Sequence, residues 1–278
     1  MKIALMTDTH LAPGGKAVLA NCRAVRDWVV AAEADITLHL GDVTAEGAMH
    51  AAHFEAAASA LGAWPTPLYI LPGNHDVGDI HDIARSPSEP PVDGMRLERH
   101  RRALGADRWR VEAEGWTLIG LNALLLGWDD DETAAQAAWL DDMLAQAEGP
   151  VALFLHKPLF RTAVEDDERH IRYIPPDPRR RLLQQLASVD LRLVISGHTH
   201  QLRRLRVGPV EHVWVPSCAF YIPDSRQETI GEKVVGAMLL TLAPNGYRLD
   251  FVGPQDIARN SLLDQTDIYP DLLTGEAH

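Results

Sequence analysis

The chain has 278 residues, 46% of them hydrophobic, and a net charge of −13. That is enough for a sizeable core, and no apolar run reaches the roughly 18 residues a membrane span needs. The acidic balance speaks against a nucleic acid polymer as partner, because its binders carry a basic footprint. Runs such as Arg179-Arg180-Arg181 and Arg203-Arg204-Leu205-Arg206 read as solvated faces. Cys22 and Cys218 are far apart in sequence and form no disulfide framework. The first strand-like run starts at Lys2 and leaves no room for a signal peptide, so a reduced, cytoplasmic setting is the expectation.

In chain order, Lys2 to Thr7 is a short apolar strand ending at Asp8-Thr9-His10. Asn21 is a candidate cap for a helix running to about Glu33, with Val25, Trp28, Val29 and Ala32 at helical spacing and Trp28 therefore in the core. Ile36 to Leu40 is a strand stopped by Gly41-Asp42, and His39 within it is a packed residue. Ala48 to Leu61 is an Ala-rich helix, with His50 and His53 as surface or cap residues, though His50 could reach the site mouth. Leu68 to Leu71 is a strand that Pro72 and Gly73 end, delivering Asn74-His75-Asp76. This strand–helix alternation is the pattern of parallel βαβ layers.

The segment 86–93 is a Pro-rich surface loop, and Met95 to Leu104 is a helix. Arg108 to Glu112 and Trp116 to Leu121 are strands around the turn at Glu114-Gly115. Thr133 to Ala147 is a helix with Thr133 as its cap and Trp139 in the core. Val151 to Leu155 is a buried strand ending at His156-Lys157-Pro158, where Lys157 could approach phosphate but a lone Lys reads more readily as solvated. A charged loop over 161–176 precedes a helix from Arg179 to Ala187. Leu191 to Ser196 is a strand ending at Gly197-His198-Thr199-His200. Short strand-like runs near 202–207, 210–215, 218–222, 234–242 and 246–252 suggest antiparallel pairing. Residues 1–252 read as a single domain and 253–278 as a C-terminal tail without clear pattern.

Five polar clusters thus follow apolar strands: Asp8-x-His10, Gly41-Asp42, Gly73-Asn74-His75-Asp76, His156, and Gly197-His198-Thr199-His200. Strands of one sheet bring their ends to a common edge, so these distant residues can converge. Carboxylates, imidazoles and one amide, with no thiolate, suit Mn, Fe, Zn, Co or Ni rather than a structural Cys-type zinc site.

This ordered set resembles the calcineurin-like metallophosphoesterase superfamily, and within it the branch of class III cyclic-nucleotide phosphodiesterases and glycerophosphodiesterases. The resemblance implies an α/β fold, a four-layer α/β/β/α sandwich of two mixed sheets flanked by helices, with a dinuclear metal site at the strand C-terminal ends. It implies two divalent ions, Mn, Fe or Zn, alone or mixed. Asp8, His10, Asp42 and His200 would hold the first, and Asp42, Asn74, His156 and His198 the second, with Asp42 bridging. The formal charge of two such ions exceeds that of Asp8 and Asp42, which leaves a positive first shell for phosphate. A metal-bridging hydroxide would attack phosphorus.

His75 would stand beside the leaving group as general acid or electrostatic stabiliser, with Asn74 and His75 next to substrate. For Asp76 two roles stay open: orienting a histidine, or starting a helix or turn. The leading expectation is hydrolysis of a small phosphodiester, of cyclic nucleotide or glycerophosphodiester type. The alternatives are a phosphomonoesterase or pyrophosphatase acting on a nucleotide or lipid-linked phosphate, and a non-enzymatic scaffold on the same fold. Loops 86–93 and 161–176 are the candidates for substrate selection, and the analogy leaves a homodimer open.

Overall fold

The computed structural model describes residues 1–81 and 90–273. The first residues of the 86–93 loop, 86–89, therefore lie outside the described residues. One sheet contains β1 (Lys2–Met6), β2 (Ile36–His39), β3 (Leu68–Ile70), β11 (Ala237–Ala243) and β12 (Gly246–Val252), in the order β12-β11-β1-β2-β3. The other contains β4 (Trp109–Ala113), β5 (Trp116–Gly120), β6 (Val151–Leu155), β7 (Leu191–Ser196), β8 (Arg203–Val207) and β9 (Val210–Trp214), in the order β4-β5-β6-β7-β9-β8. β10 (Phe220–Tyr221) and β13 (Asn260–Ser261) form a small parallel pair of their own.

Side-chain alternation explains why the two sheets stack. Along β1, Ile3 and Leu5 face the core between the sheets, while Ala4 and Met6 face the opposite side. Along β6, Ala152 and Phe154 enter the same inter-sheet core, and Val151, Leu153 and Leu155 face away. A strand with both faces apolar has to be covered on both sides. Helices α1 (Lys16–Ala31) and α2 (Ala51–Leu61) cover the first sheet through Val25, Val29, Ala57 and Leu61. Helices α4 (Gly94–Leu104), α5 (Asp131–Ala145) and α6 (Pro176–Gln185) cover the second through Leu97, Leu140, Leu144 and Leu182. The result is an α/β/β/α sandwich of two mixed sheets.

Several local expectations shift. α1 starts at Lys16, capped by the Gly15 backbone, so Asn21 is not its cap. Asn21 is buried inside the helix and ties down distant chain: Nδ2 donates to the carbonyls of Ala219 and Ala258, at 3.0 and 2.9 Å, and Oδ1 accepts from Ala258 N at 2.8 Å. α5 starts at Asp131 because Asp130 accepts from Glu132 N, and Thr133 instead donates to Leu125 O at 2.8 Å. Pro176 begins α6 a few residues early, since proline fits a first helical position. The antiparallel expectation after residue 201 holds for β8/β9 and β11/β12. β9, however, also joins β7 in parallel, and β10 pairs in parallel with β13. Trp28 and Trp139 pack on the outer cores as expected, Trp139 with the Arg108 guanidinium 5.8 Å above its ring.

Candidate metal centre

The parallel strands of both sheets point their C-terminal ends to one edge. Asp8 and His10 follow β1, Asp42 follows β2, and Asn74 to Asp76 open the single-turn helix α3 (Asn74–Val77) after β3. From the second sheet, His156 follows β6, and His198 and His200 follow β7. Among the described residues, eight non-glycine residues have positive φ: Asp8, His10, Asp42, His198 and His200, together with Glu33, Glu114 and Asp256. The left-handed region disfavours L-residues, so five such positions in one cluster mark backbone bent to aim side chains at a common point. Two glycines permit the close approach. A Cβ on Gly73 would lie 2.1 Å from Asp42 Oδ1, and one on Gly197 would lie 2.1 Å from Thr7 Oγ1 and 2.8 Å from Asp8 Oδ2.

The expected residues converge. His10 Nε2 is 3.2 Å from His200 Nε2, which is 3.4 Å from Asp8 Oδ1. His156 Nε2 is 3.2 Å from Asp42 Oδ2, 3.2 Å from Asn74 Oδ1 and 3.1 Å from His198 Nδ1. Ligand atoms of Asp8, His10 and His200 form one close group, and those of Asp42, His156 and His198 another. A third, His10, Asp42 and His75, links the two.

The protonation pattern fits cations. His200 Nδ1 is 2.8 Å from the Phe220 carbonyl, and His156 Nδ1 is 2.9 Å from the Leu40 carbonyl. A carbonyl only accepts, so each Nδ1 carries the proton, and each neutral Nε2 turns a lone pair to the cluster. Asp8 Oδ1 and His198 Nε2 are buried with no hydrogen-bond partner. Lone pairs and carboxylates this close, and this dry, repel one another unless positive charge lies among them.

Burial alone would lower His156, but Asp42 beside it, with Asp8 and the Leu40 carbonyl, raises it to about 9. Burial would raise Asp42, but His156, His75 and His10 hold it well below the usual carboxylate range. The donor set therefore fits two divalent cations. Asp42 Oδ2 faces the His156 side, while Oδ1 is occupied by His75 N at 2.9 Å.

His75 Nδ1 is 2.6 Å from the Ala45 carbonyl, so it carries the ring proton and leaves Nε2 as the nitrogen free for chemistry. Asp76 takes the helix-start role and, among the described residues, hydrogen-bonds no histidine. Its carboxylate accepts from Gly73 N at 2.9 Å, Val43 N at 3.1 Å, Thr44 N at 2.8 Å and Thr44 Oγ1 at 2.6 Å. It thereby joins the loop after β2 to the loop after β3. Burial and Asp42 raise it to about 6 against the pull of these donors.

Lys157 is a correction. It is fully buried, with Nζ 2.6 and 2.8 Å from the two Asp79 oxygens and 2.5 Å from Ile171 O. A buried carboxylate partner overrides the usual preference of lysine for water. His39 is packed as expected, with Nε2 2.9 Å from Thr9 Oγ1. His50 is exposed at the start of α2, and His53 Nδ1 accepts from Glu46 N at 3.1 Å.

Asp42, Asn74, His75, His198 and His200 line a cleft of about 140 Å³. Its walls also include residues with no site motif: Ile171 and Arg172 from the 161–176 loop, Arg226, and an apolar side of Phe220, Ile222, Leu262 and Tyr269. The 161–176 loop was a candidate for substrate selection; no local signal marks Arg226 or the apolar side, which only the folded chain brings to the cleft.

The fold is thus an α/β/β/α sandwich with candidate metal donors gathered at the strand ends. The sequence narrows this: residues 1–202 match the Calcineurin-like phosphoesterase family, and the chain belongs to it. A probable cyclic nucleotide phosphodiesterase of Psychrobacter arcticus is 26% identical over 188 residues, 65% of this chain and 63% of the relative. The serine/threonine-protein phosphatase CPPED1 of Homo sapiens is 25% identical over 144 residues, 49% of this chain and 42% of the relative. The chain thus spans less than two thirds of the length of these curated relatives. A dimetal phosphatase from Danio rerio shares the fold with a TM-score of 0.67 at 12% identity, over 91% of this chain and 96% of that one. Among the described residues no helix is long and apolar enough to cross a membrane.

Proposed function

We propose that the protein is a binuclear metal-dependent phosphoesterase whose substrates are small phosphodiesters, of cyclic nucleotide or glycerophosphodiester type. The observation that carries this is the buried convergence of imidazole lone pairs and carboxylates beside a cleft that also presents His75. Asp8, His10, Asp42 and His200 are assigned to one ion, and Asp42, Asn74, His156 and His198 to the other. Two bound divalent cations would supply positive charge to the phosphate and an activated water. The chain's residues do the rest. Asp42 is shared between the two groups of donors. His75 is held by the Ala45 carbonyl and, through its backbone N, by Asp42, so its Nε2 can face a leaving oxygen. The apolar wall of Phe220, Ile222 and Leu262 offers space for the organic group of an ester.

A second reading, a phosphomonoesterase, is favoured by Arg172 and Arg226, since guanidinium groups at the cleft suit a phosphate dianion. The free, buried Cys22 and Cys218 support a reducing, cytoplasmic setting. The deciding experiment is a hydrolysis panel in Mn²⁺ with aryl phosphate diesters and monoesters, cyclic nucleotides and glycerophosphodiesters. Diester preference supports the leading reading, and strong monoester preference replaces it with the second.

A further inference from the structure

We propose that the C-terminal segment 254–273 is part of the metal centre, with Tyr269 as the residue that positions both His10 and His75. The family match ends at residue 202, and the segment has no motif. It nevertheless returns to the site. β13 pairs with β10 beside Phe220, and Asn21 holds Ala258 through both its backbone N–H and its carbonyl. Gln265 then turns the chain, accepting at its carbonyl from Ile268 N at 3.2 Å and Tyr269 N at 2.9 Å. Ile268 fills the space above Gly15, where an added Cβ would come within 2.8 Å of its Cγ2.

Tyr269 is thereby driven into the centre, only 4% exposed. Its hydroxyl lies 2.7 Å from His10 Nδ1 and 3.5 Å from the Ala45 carbonyl. That carbonyl also takes the Nδ1–H of His75, at 2.6 Å. Its ring meets those of His10 and His75 edge-on, with centroids 6.1 Å away in each case. In the proposed arrangement the hydroxyl gives its proton toward Ala45 O, so that its lone pair receives His10 Nδ1–H. This holds His10 in the tautomer whose Nε2 lone pair faces His200. A partner on the far nitrogen of a ligating histidine fixes ring orientation and raises basicity. One hydroxyl from the chain's end thus braces a candidate ligand, and its acceptor carbonyl braces the group assigned to the leaving oxygen.

The inference rests on the metal assignment above, so the test separates the two. Tyr269→Phe keeps the ring and removes the hydroxyl. Mn²⁺ titrations against a competing chelator are run on the full chain, wild type and variant in parallel. The wild type is expected to bind two equivalents, and the variant to weaken one of them about tenfold while the other is unchanged. Nitrogen-15 spectra of the metal-free proteins supply a readout independent of metal. His10 is expected to be the Nδ1–H tautomer in the wild type and a mixture in the variant. An unchanged His10 tautomer together with an unchanged two-site titration overturns the role of Tyr269. A wild type that binds no Mn²⁺ overturns the metal assignment, and with it this inference.

Discussion

His156 Nε2 stands 3.2 Å from Asp42 Oδ2, although the two residues belong to different sheets. The candidate metal centre thus lies at the seam of the sandwich, and neither half holds all of the candidate donors. Asp42→Asn retains an oxygen for His75 N but removes the charge that the proposed assignment gives to both ions. It is expected to abolish measurable hydrolysis and to weaken metal binding by more than about 100-fold. Hydrolysis assays with metal analysis check this; full activity with two retained ions would contradict the sharing of Asp42.

His75 falls geometrically with His10 and Asp42, yet it is assigned to the leaving oxygen and not to metal. His75→Ala is therefore expected to keep both ions and slow turnover by about 10² to 10⁴-fold. The loss should be greater for alkyl than for activated aryl esters. Loss of an ion by metal analysis would move His75 into the ligand set.

Lys157 and Asp79 are both buried, and Asp79 also lines the cleft. Lys157→Met leaves the Asp79 carboxylate without its cation and is expected to cost about 3–5 kcal/mol of stability. Replacing Asp79 as well should recover much of that loss. Chemical denaturation of the single and double variants measures both, and a single-variant loss below about 1 kcal/mol would contradict an essential pair.

His100 is fully buried with neither ring nitrogen partnered among the described residues, and burial lowers it to about 4. The unfolded chain takes up this proton first as pH falls. The stability contribution is thus present above the ordinary value of about 6.5 and lost progressively down to about pH 4. For one site that amounts to about 3 kcal/mol. His100→Leu is expected to flatten the pH dependence of the unfolding free energy by about one proton in that window. An unchanged slope would show that His100 does not remain neutral in the folded state.

Much of the centre was legible in the sequence because its determinants are local. Each donor follows a short apolar strand, and a strand's end is where a parallel sheet exposes its side chains. Gly73 and Gly197 belong to the same short motifs because nothing larger fits beside Asp42 and Asp8. The continuous apolar runs of β1 and β6 already required cover on both faces.

Other features depend on what the folded chain brings together. Lys157 looks like a surface lysine until Asp79 is found beneath it. Asn21 looks like a helix cap until Ala219 and Ala258 arrive from the other end of the chain. Asp76 had two open roles, and the donors of Thr44 and Gly73 chose one. Tyr269 carries no local signal, because its partner His10 lies 259 positions away. Sequence by itself determined which donors exist and on which strands they ride, since those depend on residue type and near neighbours. The tertiary structure decided which buried polar groups pair and what walls the cleft, since pairing in a dry interior depends on what the rest of the chain brings within reach.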